Sequence, residues 1–291
     1  MRDFVIATDS DTEIPYQFAE KTGMPVFLMP YTVDGEEKLF DLGKTTDYEG
    51  FYKKIGEGAK ASTSTRSPAD IADFFREIVK DKKDVLQLSF SSQLSAHYSM
   101  CEMARESVLE EYPKARIELV DTMRISMGAG VLVMKAQEMK DAGAGLDEIK
   151  DWVEANKLLA HAWFSVDDLN FLKRGGRVSG AAAMVGTILG VKPILKLNNE
   201  GKIVAADKVK GRKNVHRFLL DTIEKNIENS QEQTIYLMHA ADMENAKKLK
   251  AMIEDAVDCK GVEIMDIGPV IGCHTGPGAL SVVFMGKAME S

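Results

Sequence analysis

Cysteine is scarce in this 291-residue sequence, and the three present, Cys101, Cys259 and Cys273, lie far apart with no C-x-x-C spacing. That pattern supplies neither a disulfide framework nor a zinc site, and it makes a reducing cytoplasm the expected setting. Long apolar runs are missing too. Residues 181–191 are too short to span a bilayer, and the apolar start at residues 4–7 meets Asp9 at once, which is too short for a signal peptide. Positive charge is not in excess, since the net charge is −8. A nucleic-acid surface is therefore not expected, and any membrane contact would be transient and confined to local basic patches. The chain has no Walker-type loop, no G-x-S-x-G elbow and no histidine at a recognisable metal-ligand spacing, so neither a metal nor a cofactor is expected.

Apolar side chains, by contrast, are plentiful. At 45% hydrophobic residues the chain can fill a core without staples, and its length suits two domains. Residues 85–90 read as a buried strand that leaves through Ser91 and Ser92 into an amphipathic helix from Leu94 through Cys101, Ala104 and Val108. A strand end feeding a helix start is where α/β sheets place ligands, although two serines there equally suit a helix cap. Upstream, residues 4–8, 26–29, 31–33 and 36–40 are strand-like. Residues 15–21, 47–56 and 67–80 are helical, and 61–66 form a polar loop. A strand at 115–120 and helices at 126–142 and 146–159 follow, and this alternation implies parallel pairing with right-handed crossovers. The pattern then changes, which divides the chain into domains 1–158 and 159–291. The second begins with a strand at 162–166, a short helix at 168–174 and a small-residue helix at 179–189. A hairpin of 193–197 with 203–209 makes its sheet mixed, and helices at 214–227 and 242–257 and strands at 234–239, 262–267 and 280–284 complete it.

Four strand exits in the first half carry hydroxyls, at residues 8–10, 62–65, 89–92 and 121–122. In a parallel sheet such exits share one edge, so several of these side chains are expected to meet in one crevice. Residues 268–278, GPVIGCHTGPG, contain four glycines and two prolines and read as a loop that approaches another surface closely. His274 at its centre is either a solvated loop histidine or a donor to an anionic ligand. Lys173, Arg174 and Arg177 around Gly175-Gly176 form a basic stretch, and Lys208, Lys210, Arg212 and Lys213 form another. Sixteen methionines suit an adaptable apolar wall, for which Met123, Ile125, Met127, Met184, Ile188, Leu189 and Ile271 are the candidates.

Five stretches in order, TDSDTEIP from Thr8, TSTRSP from Thr63, SSQLSAHY from Ser91, FLKRGGRVSG from Phe171 and HTGPGAL from His274, resemble the DegV family of bacterial fatty-acid-binding proteins over essentially the whole chain. The resemblance implies an α/β fold of two domains, a parallel-sheet N-terminal one and a C-terminal one with a mixed sheet, with a long-chain fatty acid between them. It implies a carrier without turnover of its own, which presents the carboxylate to a separate fatty acid kinase for conversion to acyl phosphate. The carboxylate contacts then fall on Thr63 and Ser92 with His274 nearby, flanked by Ser64 and Thr275. The kinase is expected to dock around Arg174 and Arg177, with Arg212 a further candidate. Thr65-Arg66 stands where family members often have Gln-Pro, and residues 93–97, QLSAH, where they often have Gly-Leu-Ser-Gly-Thr. The rival reading is a serine hydrolase using Ser92 with His274, which lacks both the elbow and a marked carboxylate.

Overall fold

The structure, a computed structural model, describes residues 3–177 and 190–289. The helix expected at 179–189, with Met184, Ile188 and Leu189, lies outside the described residues. In chain order the elements are β1 (Phe4–Asp9), α1 (Tyr16–Thr22), β2 (Val26–Phe27), β3 (Pro30–Val33), β4 (Glu36–Leu39), α2 (Tyr48–Gly56), β5 (Ala61–Thr63), α3 (Pro68–Val79) and β6 (Asp84–Ser89). Next come α4 (His97–Glu111), β7 (Ile117–Asp121), α5 (Met127–Asp141) and α6 (Leu146–Asn156). The remainder is β8 (Ala160–Ser165), α7 (Asn170–Arg174), β9 (Val191–Leu197), β10 (Ile203–Lys210), α8 (Arg212–Asn226), β11 (Thr234–His239), α9 (Met243–Ala256), β12 (Gly261–Asp266), α10 (Pro269–Thr275) and β13 (Leu280–Met285).

The first sheet runs β2-β1-β6-β7, parallel throughout. Val85, Leu86 and Leu88 of β6 are all fully buried, as expected where both faces of a parallel strand are covered. Ser67 and Asp70 close a capping box at the start of α3, with Pro68 in its first turn, so local chemistry alone sets where that helix begins. Local chemistry failed elsewhere. Residues 61–63 are not loop but the edge strand β5, antiparallel to β3 with Thr63 opposite Tyr31, because the partner lies some thirty positions upstream and leaves no local trace. The helix after Ser92 begins at His97 rather than Leu94, since residues 92–94 turn first.

The second sheet runs β10-β9-β8-β13-β11-β12, with only β11 and β12 parallel, which makes it mixed as expected. Side chains alternate across it. Leu280, Val282 and Phe284 of β13 pack on the α8 and α9 side, while Ser281 and Val283 face a cavity on the other. The glycine-rich stretch after β12 is also not a loop: residues 269–275 form α10, started by Gly268 and Pro269 and ended at Gly276 with φ +69°.

Arg124, fully buried just after β7, ties the two sheets' surroundings together. Its guanidinium donates to the carbonyls of Ala160 (2.7 Å), Met123 (2.8 Å), Leu158 (3.0 Å) and Asn198 (3.1 Å). Burial lowers its pKa to about 10, which leaves it charged at neutral pH. Arg124→Met is expected to lower the unfolding free energy by about 3 kcal/mol or more, because several carbonyls lose their donor in a dry site. Arg124→Lys, with fewer and differently aimed donors, is expected to recover only part of it. Equilibrium urea unfolding measures both, and a wild-type midpoint for the Met variant would refute the role.

Candidate functional site

A cavity of about 1020 Å³, counting the part open to solvent, is walled on one side by the segments that leave β1, β5, β6 and β7. On the other side stand the inner face of the second sheet, α7 and α10. Most of its wall is apolar: Phe90, Leu94 and Ile125 face Ala162, Phe164, Leu172, Leu197, Ile203, Val270, Ile271 and Val283. Of the described methionines only Met29 lines it. The candidates Met123 and Met127 do not, whereas Ile125 and Ile271 do. Met127 opens α5 and points fully into the core, and Met123 lies against Gly201 with its N–H donated to Asp121 at 2.8 Å. The wall is therefore built from branched and aromatic side chains more than from flexible thioethers.

The cavity also has polar side chains in its wall. Thr63 Oγ1 lies 2.9 Å from His274 Nε2, and Ser64, Thr65, Ser95, Ser126 and Thr275 line the same space. Residues 211 positions apart meet because α10 packs onto β5 and α2. Gly272 allows the approach, since a Cβ there would come within 2.7 Å of Phe51 and the Tyr52 hydroxyl. Tyr52 donates to Ile267 O at 2.7 Å, and Glu13 accepts the N–H of Gly268. On the far side Gly175 lies flat against the imidazole, where a Cβ would stand 2.0 Å from Nδ1. Burial, with the Arg177 charge adding to it, holds the His274 pKa down to about 4, so the ring is neutral at ordinary pH.

Three carboxyls follow β1 into the interior. Asp9 accepts the N–H groups of Asp11 (3.1 Å) and Phe90 (3.2 Å), which fixes two segments of the cavity wall to each other. Burial pushes Asp9 up to about 7, and pushes Glu13 up to about 7 even though Ser126 and Gly268 donate to it. Asp11 lines the cavity with Arg177 acting on it electrostatically. Burial, and then repulsion from Asp9 and Glu13, raises its pKa well above the carboxylate range. The cavity wall thus holds an acid and a base, Asp11 and Arg177, as well as hydroxyls.

The expected convergence of strand exits holds for the segments but not for each residue. Thr8, Ser10, Ser89, Ser91 and Thr122 are fully buried and bonded within the fold; Ser10, for example, accepts the N–H of Met29 at 2.9 Å. Of the residues expected around a carboxylate, Thr63, Ser64, His274 and Thr275 line the cavity, and Ser92 does not. The Ser92 N–H is held by the Asp121 carboxylate at 3.3 Å, and its side chain lines a second, more polar pocket next door. Ser95, three residues on, takes the place in the cavity. Only its position after the turn could have pointed to it. The hydrolase pairing of Ser92 with His274 has no geometry, because the two line different spaces and the imidazole is engaged by Thr63.

Among the basic candidates, Arg174 is exposed with its guanidinium 4.4 Å over the Phe171 ring. Arg177 is half-buried in the cavity wall, donating to Leu94 O at 3.0 Å and to Gly175 O. Arg212 is engaged by Asp167 (2.6 Å), Gly278 O (2.8 Å) and Asp242 (3.2 Å). Among the described residues no three His, Cys, Asp or Glu side chains converge as a metal site requires, and no helix is long and apolar enough to cross a membrane.

A parallel sheet and a mixed sheet enclosing an apolar cleft with a hydroxyl-lined end define the class of α/β fold. The chain belongs to the DegV family: the family model described as "uncharacterised protein, DegV family" matches residues 3–287. A DegV domain-containing protein of Clostridium perfringens is 39% identical over 290 residues, covering all of both chains. A solved DegV family protein from Thermus thermophilus, described by its fatty acid binding, is 29% identical, with a TM-score of 0.88 over 99% of this chain and 100% of its own. DegV of Bacillus subtilis, described as a fatty acid binding protein, is 26% identical, with a TM-score of 0.82 over 99% and 100% of the two chains.

Because the folded Glu13 pKa is raised from 4.5 to about 7, its contribution to stability is fully present below the unfolded value and is lost as pH rises through the folded one. Glu13→Gln cannot ionise, so its stability relative to wild type is expected to rise across that window by up to about 1.4 kcal/mol per pH unit. Thermal unfolding of both proteins over a pH series tests this. A constant difference would show that Glu13 does not titrate with folding.

Proposed function

We propose that this chain is a fatty-acid carrier: it holds a long-chain acyl group in the apolar cavity and presents the carboxylate to a fatty acid kinase, with no cofactor and no turnover of its own. The observation that carries the reading is the pairing of an apolar wall with the Thr63–His274 contact at one end. The relatives from Thermus thermophilus and Bacillus subtilis, both described as binding fatty acids, support it.

The energetics suit such a ligand. About 14 buried methylenes at about 0.8 kcal/mol each contribute on the order of 10 kcal/mol before the costs of binding. The head group is then free to serve orientation more than affinity. Among the described residues His274 Nδ1 has no hydrogen-bond partner and it abuts Gly175, which favours the tautomer that carries its proton on Nε2 and donates it to Thr63 Oγ1. The Thr63 O–H is thereby left to donate to a carboxylate oxygen, with the Ser95 hydroxyl as a second donor. Neutral donors satisfy the carboxylate without a full counter-charge, and the Arg177 guanidinium is already engaged by the carbonyls of Leu94 and Gly175. The oxygen stays nucleophilic enough to attack a phosphoryl group. The division near residue 158 would then separate the walls of a single lipid slot, and the exposed Arg174 would lie on the face offered to the kinase.

Denaturing extraction and mass spectrometry of the purified protein should release a long-chain fatty acid, and protein free of lipid would remove the proposal. Thr63→Val should keep its lipid, since the tail supplies the affinity, yet lower acyl-phosphate formation with a fatty acid kinase about tenfold through loss of one hydrogen bond. Unchanged turnover would reject Thr63 as the orienting group.

A further inference from the structure

Asp11 stands in the wall of the lipid cavity with nothing to hold it there. It is 4% exposed, and among the described residues its Oδ1 has no hydrogen-bond partner. The backbone fixes its aim: its N–H is donated to Asp9 Oδ1 at 3.1 Å, and its carbonyl accepts the N–H of Ser126 at 2.9 Å. The groups around it bring no counter-charge into contact. On its own segment the carboxyls of Asp9 and Glu13 repel a charge at Asp11, and His97, 3.8 Å behind Asp9, is held down to about 4 by burial. From beyond α7, Arg177 attracts it through space, but that guanidinium donates to Leu94 O and Gly175 O. On α10 the Cys273 thiol, pushed up to about 12 by burial, and the His274 ring, held down to about 4, are both neutral at ordinary pH. A buried carboxyl so placed keeps its proton, and a carboxylic acid in an apolar wall is a donor without an acceptor.

A fatty acid carboxylate is such an acceptor. It has about four acceptor sites, more than the Thr63 and Ser95 hydroxyls fill. Ionised Asp11 would instead face it as a like charge across an apolar space, where repulsion is poorly screened. We infer that Asp11 is a lipid-binding residue: its carboxyl donates a hydrogen bond to the carboxylate of the bound fatty acid, and loading is thereby tied to a proton. The inference rests on the carrier reading. The proton stays on or between the two carboxyl groups, so that two acids share one negative charge. By linkage, affinity for a fatty acid falls as pH rises through the Asp11 titration, because the ionised form repels the ligand. Reciprocally, loading draws a proton onto Asp11 within that window.

The full chain, stripped of lipid, is titrated with dodecanoate, which stays ionised from about pH 6 to about pH 10, and with uncharged dodecanol over the same range. Wild-type affinity for dodecanoate should fall by up to about tenfold per pH unit above the Asp11 midpoint, while dodecanol affinity stays level. Asp11→Asn, which keeps a donor and cannot ionise, should bind dodecanoate at every pH as tightly as wild type does at the acid end. Asp11→Ala should also lose the pH dependence, but bind about tenfold more weakly than wild type at the acid end. Calorimetry in buffers of different ionisation enthalpy should show wild type taking up a proton with dodecanoate, an uptake missing from both variants. Either variant carries the pH comparison, so misfolding of one leaves the other to decide. A level wild-type profile, or the same slope in the variants, would overturn the role of Asp11 and leave the carrier reading standing. Equal affinity of the two variants at the acid end would overturn the hydrogen bond. Dodecanoate bound by neither wild type nor variant would overturn the carrier reading, and this inference with it.

Discussion

A buried guanidinium on four carbonyls is the constraint from which the site's geometry descends. Among the described residues Arg124 has no carboxylate partner; it gathers the chain at residues 123, 158, 160 and 198, which belong to the exit of β7, the start of β8 and the β9–β10 hairpin. Carbonyl dipoles fix position as a salt bridge would, yet they leave the guanidinium charge in place for all of them at once. The cavity walls are carried by elements on either side of that knot. Ile125 and Ser126 follow it directly, and Ala162 and Leu197 stand within a few residues of its acceptors. Sheet order alone would not set the width of the cleft.

A second group of contacts closes the polar end. Glu13, Tyr52 and Thr63 from the N-terminal half all reach α10 or the residues just before it, through Gly268, Ile267 and His274. Keeping Asp9, Asp11 and Glu13 buried close together costs desolvation and mutual repulsion, seen in their raised pKa values. Glu13 and Asp9 in return each hold pairs of segments in register, a use of buried polar groups for specificity more than for stability. Division of charge follows the same plan. Thr63, Ser64 and His274 line the cavity, Lys202 and Ser92 line a neighbouring pocket, and Arg177 stands in the wall of both.

Much of the fold could be read from local pattern. The strand at 85–90, the capping box opening α3, the hairpin of β9 with β10 and the mixed character of the second sheet all rest on side-chain period or turn chemistry. The motifs at Thr63, Ser64, His274 and Thr275 stood out in the sequence, and the fold sets all four around one cavity. Ser92 lines the neighbouring pocket instead, because the two serines of a strand exit differ only in which neighbour captures them, and Asp121 captures this one. Met123 and Met127 lie off the cavity for a related reason. Composition counts thioethers, but the face on which each lands is set by helix phase and by contacts such as that of Met123 with Gly201.

The amino-acid sequence by itself determined the alternation of strands and helices, the parallel first sheet and the presence of a hydroxyl-rich, glycine-rich set of loops, since these follow from interactions among residues a few positions apart. Only the tertiary structure decided that β5 is a strand, that α10 is a helix and that Thr63 meets His274 across 211 positions. It also decided that Ser95 displaces Ser92 and that Arg177 stands between two pockets. Those outcomes depend on which distant surface arrives to satisfy a backbone edge or a buried polar atom, and no local pattern records that arrival.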